Sequence, residues 1–225
     1  WLLPRQLPQP ASEMLSRHIE SLGITVRAGV RVKELTGDER VHGVFLDNGE
    51  EVSADAVVLS TGVRPNSHLA RRADLEVASG IIVDDQMFTS DPAILAAGDV
   101  AEHRGVLYGI WPASYAQGAV AGINAVGGDS EFKGMPPSNR IKVLDVDLYS
   151  IGTVTNGDAS FQVCEELEGD RYARLVCRDG RIVGAALYGD TALSGRLKEA
   201  IESAAHLTEL SDLTERFPAL AGAIG

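Results

Sequence analysis

Apolar positions recur at helical spacing in Met14, Leu15, Ile19 and Leu22, which predicts a helix starting near Ser12 and Glu13 and stopping at Gly23. The period then shortens. Residues 24–27, 30–35 and 41–46 are strand-like, and Asp47-Asn48-Gly49 is a hairpin turn returning through Glu51 and Val52. Ala56-Val57-Val58-Leu59 is an unbroken apolar run of the kind expected in a strand buried on both faces. Residues 80–83 and 94–97 predict two more strands, and Ser67 is placed to cap a short helix reaching Ala73. A small-residue helix is expected from about Pro112 to Val126, with proline in its first turn. Its Gly118 and Gly122 would let a neighbouring backbone come close, as in tight packing of a soluble domain.

Gly127-Gly128 and Gly134-Met135-Pro136-Pro137-Ser138 form the best linker in the chain. After it the pattern is antiparallel. Runs at 141–146, 148–154, 161–167, 172–177 and 182–188 predict five strands, with Asp179-Gly180 as a hairpin turn. Leu193, Leu197, Ile201 and Ala204 mark an amphipathic helix, and Leu210, Leu213, Phe217 and Leu220 a shorter helical tail.

Composition narrows the function classes. The 225 residues are 44% hydrophobic and 23% charged, as in globular proteins. A net charge of −12 with no basic stripe argues against nucleic acid and against an anionic membrane surface as partners. No apolar stretch approaches the length of a membrane span. Two cysteines cannot staple a chain of this size and have no zinc-site spacing, so the expected setting is reducing and cytoplasmic. Cys164 and Cys177 lie in apolar strand patterns and read as buried thiols. The first residue is Trp1, which predicts trimming or membership of something longer.

The segment from Thr89 to Val100 carries the chemistry: an approach loop, a short apolar run, then Gly98-Asp99. Glycine there lets a ligand come against the backbone, and aspartate accepts hydrogen bonds from hydroxyls. The helix that follows presents unpaired N-terminal amides. Taken alone, Gly-Asp after a strand reads equally as a plain turn. His103 and Glu102 lie close by, the first with a structural default and a catalytic alternative, the second as a solvated carboxylate. Trp111 and Tyr108 read as pocket lining or as core aromatics. No Gly-x-Ser-x-Gly elbow and no metal cluster supports a hydrolase or lyase.

The segment resembles the second flavin-binding motif of the pyridine nucleotide–disulfide oxidoreductase family, in which Ala-Gly-Asp ends beside the ribityl chain of FAD. The resemblance implies that Asp99 bonds a ribityl hydroxyl and that the helix from about Ala113 points its N-terminus at the flavin pyrimidine edge. Ser60-Thr61-Gly62-Val63-Arg64-Pro65-Asn66 is similar to the family's crossover from the NAD domain to the FAD domain. Arg5-Gln6-Leu7-Pro8, the following helix, Gly23-Ile24 and Val30 resemble the second half of its NAD domain. The runs Gly98 to His103 and Tyr108 to Trp111 look most like the rubredoxin-reductase and nitrite-reductase-flavoprotein branch. Thr61, Gly62, Gly98, Asp99, Val100, Trp111 and Ala113 are therefore the implied cofactor-binding residues; the resemblance assigns no catalytic residue and no metal.

Neither Gly-x-Gly-x-x-Gly site of the family occurs in this chain. The expectation is a C-terminal portion of an FAD-dependent NAD(P)H oxidoreductase: half an NAD(P)-binding domain (1–59), part of an FAD-binding domain (60–133) and an α+β C-terminal domain (134–225). The implied fold class is α/β, with incomplete Rossmann-like domains, followed by α+β with an antiparallel sheet. FAD and NAD(P)H are expected of the parent, and the chain alone would be inactive. The expected partners are the N-terminal remainder of the flavoprotein, a redox-protein acceptor and a second copy. A non-catalytic dimerisation or partner-docking module at the C-terminus is the alternative.

Overall fold

The computed structural model describes residues 1–155 and 160–223, and the chain divides into two units: Trp1–Leu59 with Pro136–Gly225, and Ser60–Met135. The first unit is built on a five-stranded antiparallel sheet. Its strands are β6 (Ser138–Val143), β7 (Val146–Gly152), β8 (Gln162–Glu168), β9 (Arg171–Arg178) and β10 (Arg181–Tyr188), in the order β6-β7-β10-β9-β8. Five strands are present where five are expected, but the expected 141–146 run is cut by a turn at Leu144-Asp145, so the first strand lies earlier and Val146 opens the second. Helices α4 (Ser194–Glu202) and α5 (Ser211–Arg216), with short 3-10 turns, cover one face. There Leu197, Ala200, Leu207, Leu210, Leu213 and Phe217 pack on Ile151, Leu175, Cys177, Ala185 and Leu187. Both cysteines are in this core, free and buried.

The other face of the sheet meets α1 (Gln9–Ser21). Leu7, Ala11, Met14 and Leu15 pack against Val146, Leu148, Tyr172 and Tyr188. Burial on both faces accounts for the nearly continuous apolar runs of β9 and β10. The helix begins three residues before the expected Ser12, because Pro8 at the cap and Pro10 in the first turn suit positions whose N–H groups have no intrahelical acceptor. Gly23 ends it at φ 81°, donating to Glu20 O at 2.9 Å.

Strands β1 (Val32–Thr36), β2 (Gly43–Leu46) and β3 (Glu51–Ser53) form a separate antiparallel sheet. In the β2–β3 turn only Gly49 has positive φ, at 90°, and Asn48 Oδ1 accepts from Glu50 N at 3.0 Å. That is a three-residue loop rather than a two-residue mirror-image turn. Residues 24–27 and 56–59 are not strands, contrary to their pattern. An apolar run becomes a buried strand only when others pair with it, and no described strand flanks 56–59; Val58 is 91% exposed.

The second unit contains α2 (His68–Arg72), the parallel pair β4 (Ile81–Val83) and β5 (Ala101–His103), and α3 (Trp111–Ala125). Val83, Met87, Ala101, Ala113, Val120 and Phe132 form its core. Residues 94–97 make one isolated bridge, Phe88 to Leu95, flanked by Thr89 N to Ile94 O at 2.9 Å and Ala96 N to Met87 O at 3.1 Å, a pairing too short to make the expected strand. Ser67 makes no side-chain cap to α2. A Cβ on Gly118 or Gly122 would meet nothing within 4 Å, so among the described residues no backbone approaches them. Among the described residues no helix is long and apolar enough to cross a membrane.

Candidate functional site

All seven implied cofactor-binding residues fall in the second unit. The approach loop is held by its own threonine: Thr89 Oγ1 donates to Ile94 O at 3.0 Å and accepts from Asp91 N at 3.2 Å. The chain then reaches Gly98, whose φ of 84° lies in the left-handed region open to glycine. Gly98 O accepts from Ala101 N at 2.9 Å, a tight turn that brings the chain into β5. Val100 O accepts from Ile81 N at 2.8 Å, tying the turn to β4. Glu102 Oε2 accepts from Gly80 N at 2.8 Å, so that carboxylate anchors the β4 entry and is not free in solvent.

Asp99 projects from this turn and is exposed. Ser114 Oγ donates to its Oδ1 at 2.9 Å, while Oδ2 has no partner among the described residues. Gln117 Oε1 accepts from Gly98 N at 2.9 Å. Gly98, Asp99 and the first turns of α3 thus form one cluster. Ser114 and Gln117 were not singled out in the sequence; their signal, two polar residues three apart on the helix after Gly-Asp, is readable only once the turn is known to lie against that helix.

Trp111 begins α3 and is 81% exposed, so it is no core aromatic. Pro112 has no N–H, and Ser114 N bonds Ile110 O at 3.1 Å. The first-turn donors without a partner among the described residues are therefore the N–H groups of Trp111 and Ala113. The Ala113 side chain is buried in the core, so only its backbone can face a ligand. Thr61 and Gly62 lie in an irregular segment, Gly62 at φ 87°, with no hydrogen bond to the 98–117 cluster among the described residues. The structure gathers five of the seven residues in the turn and the first turn of α3, and no hydrogen bond among the described residues ties Thr61 or Gly62 to them.

His103 takes a structural place. It is fully buried in β5, its Nε2 is 2.8 Å from Asp85 Oδ1, and its ring stands edge-on to Phe132 at 5.1 Å. Tyr108 packs on the same phenylalanine at 5.4 Å. An open concavity of about 570 Å³ beside Asp84, Asp85, Arg104 and Glu131 is lined by none of the seven residues.

An FAD site is consistent with this chemistry. It offers one carboxylate oxygen free to accept from a hydroxyl, a glycine with no side chain between backbone and ligand, and two unpaired amides at the positive end of a 15-residue helix. Comparison with known proteins gives the family. Residues 1–118 match the pyridine nucleotide-disulphide oxidoreductase family, and residues 137–205 match the rubredoxin NAD+ reductase C-terminal domain. The chain is 34% identical over 217 residues to a nitrite reductase [NAD(P)H] of Bacillus subtilis, covering 95% of this chain and 27% of that protein. It is 30% identical over 211 residues to the NADH-rubredoxin oxidoreductase of Clostridium acetobutylicum, covering 94% and 52%. Among solved structures, a NAD-dependent persulfide reductase from A. fulgidus superposes with a TM-score of 0.81 at 26% identity, over 93% of this chain and 44% of that one. The chain thus spans between about a quarter and about a half of the length of these curated relatives. Its fold class is that of FAD- and NAD(P)H-dependent oxidoreductases, α/β followed by an antiparallel α+β domain, and the chain belongs to the pyridine nucleotide–disulfide oxidoreductase family.

Proposed function

We propose that this chain supplies the ribityl side of the flavin site, half of the NAD(P)-binding domain and the C-terminal domain of an FAD-dependent NAD(P)H oxidoreductase. The observation that carries this reading is the Asp99 carboxylate, fixed by Ser114 through one oxygen and open at the other, beside the unpaired amides of Trp111 and Ala113. Asp99 would hold a ribityl hydroxyl, and Gly98 and Val100 would shape the backbone beside it. The α3 N-terminus would face the electron-rich edge of the ring, where a fixed dipole favours the negative charge of the reduced form. When bound, FAD supplies acceptance of a hydride from NAD(P)H and release of the two electrons to an acceptor. Thr61 and Gly62 are assigned to the same site through the crossover that they begin.

The remaining cofactor contacts belong to the rest of such a flavoprotein. Its partner surface is the apolar stripe of α3 and its C-cap, where Trp111, Tyr115 and Ile123 of the helix and the capping Val126 are all exposed. A small redox protein is the acceptor that relatives named NADH-rubredoxin oxidoreductase and nitric oxide reductase FlRd-NAD(+) reductase support. The two buried free thiols suit a cytoplasmic setting.

Titration with FAD of the complete flavoprotein, this chain together with its N-terminal remainder, followed by visible circular dichroism, tests the reading. Induced flavin bands are expected, and Asp99→Ala should weaken binding ~10–150-fold, the worth of a hydrogen bond to a charged group. Unchanged affinity in that variant removes Asp99 from the site. The second reading, a docking or dimerising C-terminal module, is favoured by one observation: residues 149–220 enclose a hydrophobic core of their own. A chain that sediments as a dimer and takes up no FAD supports that reading instead.

A further inference from the structure

Two side chains of α3 hold the Gly98-Asp99 turn from below, and neither belongs to the set implied by resemblance. Gln117 is 1% exposed and its Oε1 accepts from Gly98 N at 2.9 Å. The amide orientation is determined by this bond, since the reverse would set two N–H donors face to face. Its Nε2 is buried and has no partner among the described residues. An unmade buried donor disfavours folding, and leucine would avoid it. What leucine cannot provide is an acceptor for Gly98, whose φ of 84° turns the chain so that Asp99 projects. One turn earlier, Ser114 Oγ donates to Asp99 Oδ1 at 2.9 Å and fixes the carboxylate rotamer.

We propose that Ser114 and Gln117 are positioning residues that preset Asp99 for a polyhydroxylated chain of the ribityl type, Gln117 through the backbone and Ser114 through the carboxylate. The inference rests on the flavin reading of this turn. A preset acceptor loses less freedom on binding than one that must be ordered by its ligand. Oδ2 then keeps both its lone pairs for the hydroxyl, on a carboxylate whose rotamer is set before the ligand arrives.

The test is a ¹H–¹⁵N NMR titration with FAD of the complete flavoprotein, this chain together with its N-terminal remainder, reading the dissociation constant from the Asp99 amide and hydrogen exchange at the Gly98 amide. Wild type should titrate at Asp99 and protect Gly98. Ser114→Ala and Gln117→Leu should each weaken binding about tenfold, and Gln117→Leu should expose the Gly98 amide. Gln117→Glu keeps an acceptor oxygen and should restore both, a rescue that a purely structural role for residue 117 does not produce. Equal constants in wild type, Ser114→Ala and Gln117→Leu overturn the positioning role while leaving the flavin site intact. Folded Gln117→Glu as weak as Gln117→Leu also overturns it. If Gln117→Leu does not fold, Ser114→Ala decides alone. A wild-type Asp99 amide that ignores FAD removes the flavin reading itself, and this inference with it.

Discussion

Asp85 and His103 meet across the second unit with Asp85 Oδ1 2.8 Å from the fully buried Nε2 of the imidazole, and the same oxygen accepts from Arg104 Nε at 2.9 Å. The hydrogen bond from Arg104, then that from His103, hold the Asp85 carboxyl down from its ordinary 3.8 to about 2. A carboxyl depressed by folding adds stability above its unfolded value, and that stability is lost as pH falls through the folded value. The second unit should therefore lose stability between pH 3.8 and about 2, and Asp85→Asn should flatten that part of the acid titration. Urea unfolding at a series of acidic pH values measures it. An unchanged slope in the variant would show that Asp85 is not the group concerned.

The β6–β7 hairpin turns through Leu144 at φ 48° and Asp145 at φ 64°, both left-handed. This two-residue turn favours asparagine and glycine, and a leucine in it carries the strain of its Cβ against the next carbonyl. His18 Nε2 lies 2.7 Å from Leu144 O, a backbone contact that survives substitution. Leu144→Asn should stabilise the chain by ~0.5–1 kcal/mol, the relief of strain outweighing the partial burial lost at a residue that is 41% exposed. A urea midpoint that stays or falls would refute the strain argument.

The five-strand sheet was legible because hairpins are local: alternation and Asp179-Gly180 sit within a few residues of the pairs they create. Residues 56–59 and 94–97 were misread because their apolar runs describe an environment, and pairing partners outside the run decide whether a strand forms. Nothing in Met14 or Leu15 says which sheet α1 will cover; the stripe specifies only that it covers one. Strand β5 was missed since Ala101-Glu102-His103 is short and mostly polar, and its pairing with β4 is parallel and remote. At the site, Gly98-Asp99 is a local signal. The Ser114 and Gln117 bonds span 15 and 19 residues and exist only through packing of α3 on the turn.

Gly184 faces Gly152 across β10 and β7, and a Cβ on Gly184 would collide with the carbonyl oxygen of Thr153. That oxygen is backbone, beside a bulge at Val183, whose own carbonyl accepts from Thr153 N at 3.0 Å. Neither strand can yield without breaking the ladder. Gly184→Ala should destabilise the first unit by ~3 kcal/mol or more, the upper range for overpacking. Calorimetry should show a lower Tm for the transition containing the sheet, and a Tm equal to wild type would mean that the strands separate freely there.

Cys164 and Cys177 sit diagonally on β8 and β9, since Cys164 pairs with Leu175 and Gln162 with Cys177, and both point into the α4–α5 core. Burial raises both thiols, Cys177 from 9.0 to about 11, with Cys164 a smaller contributor to that rise. The thiolate is the nucleophile, so neither should react with a disulfide reagent at neutral pH while the chain is folded. Both should react in denaturant. The sign for stability is the reverse of that for Asp85. A thiol raised by folding favours the native state below its unfolded value, and that contribution is lost as pH rises from 9.0 towards about 11. Timed reaction with a chromogenic disulfide, with and without guanidinium, measures the first claim. Fast labelling of the native chain would place at least one thiol outside the core.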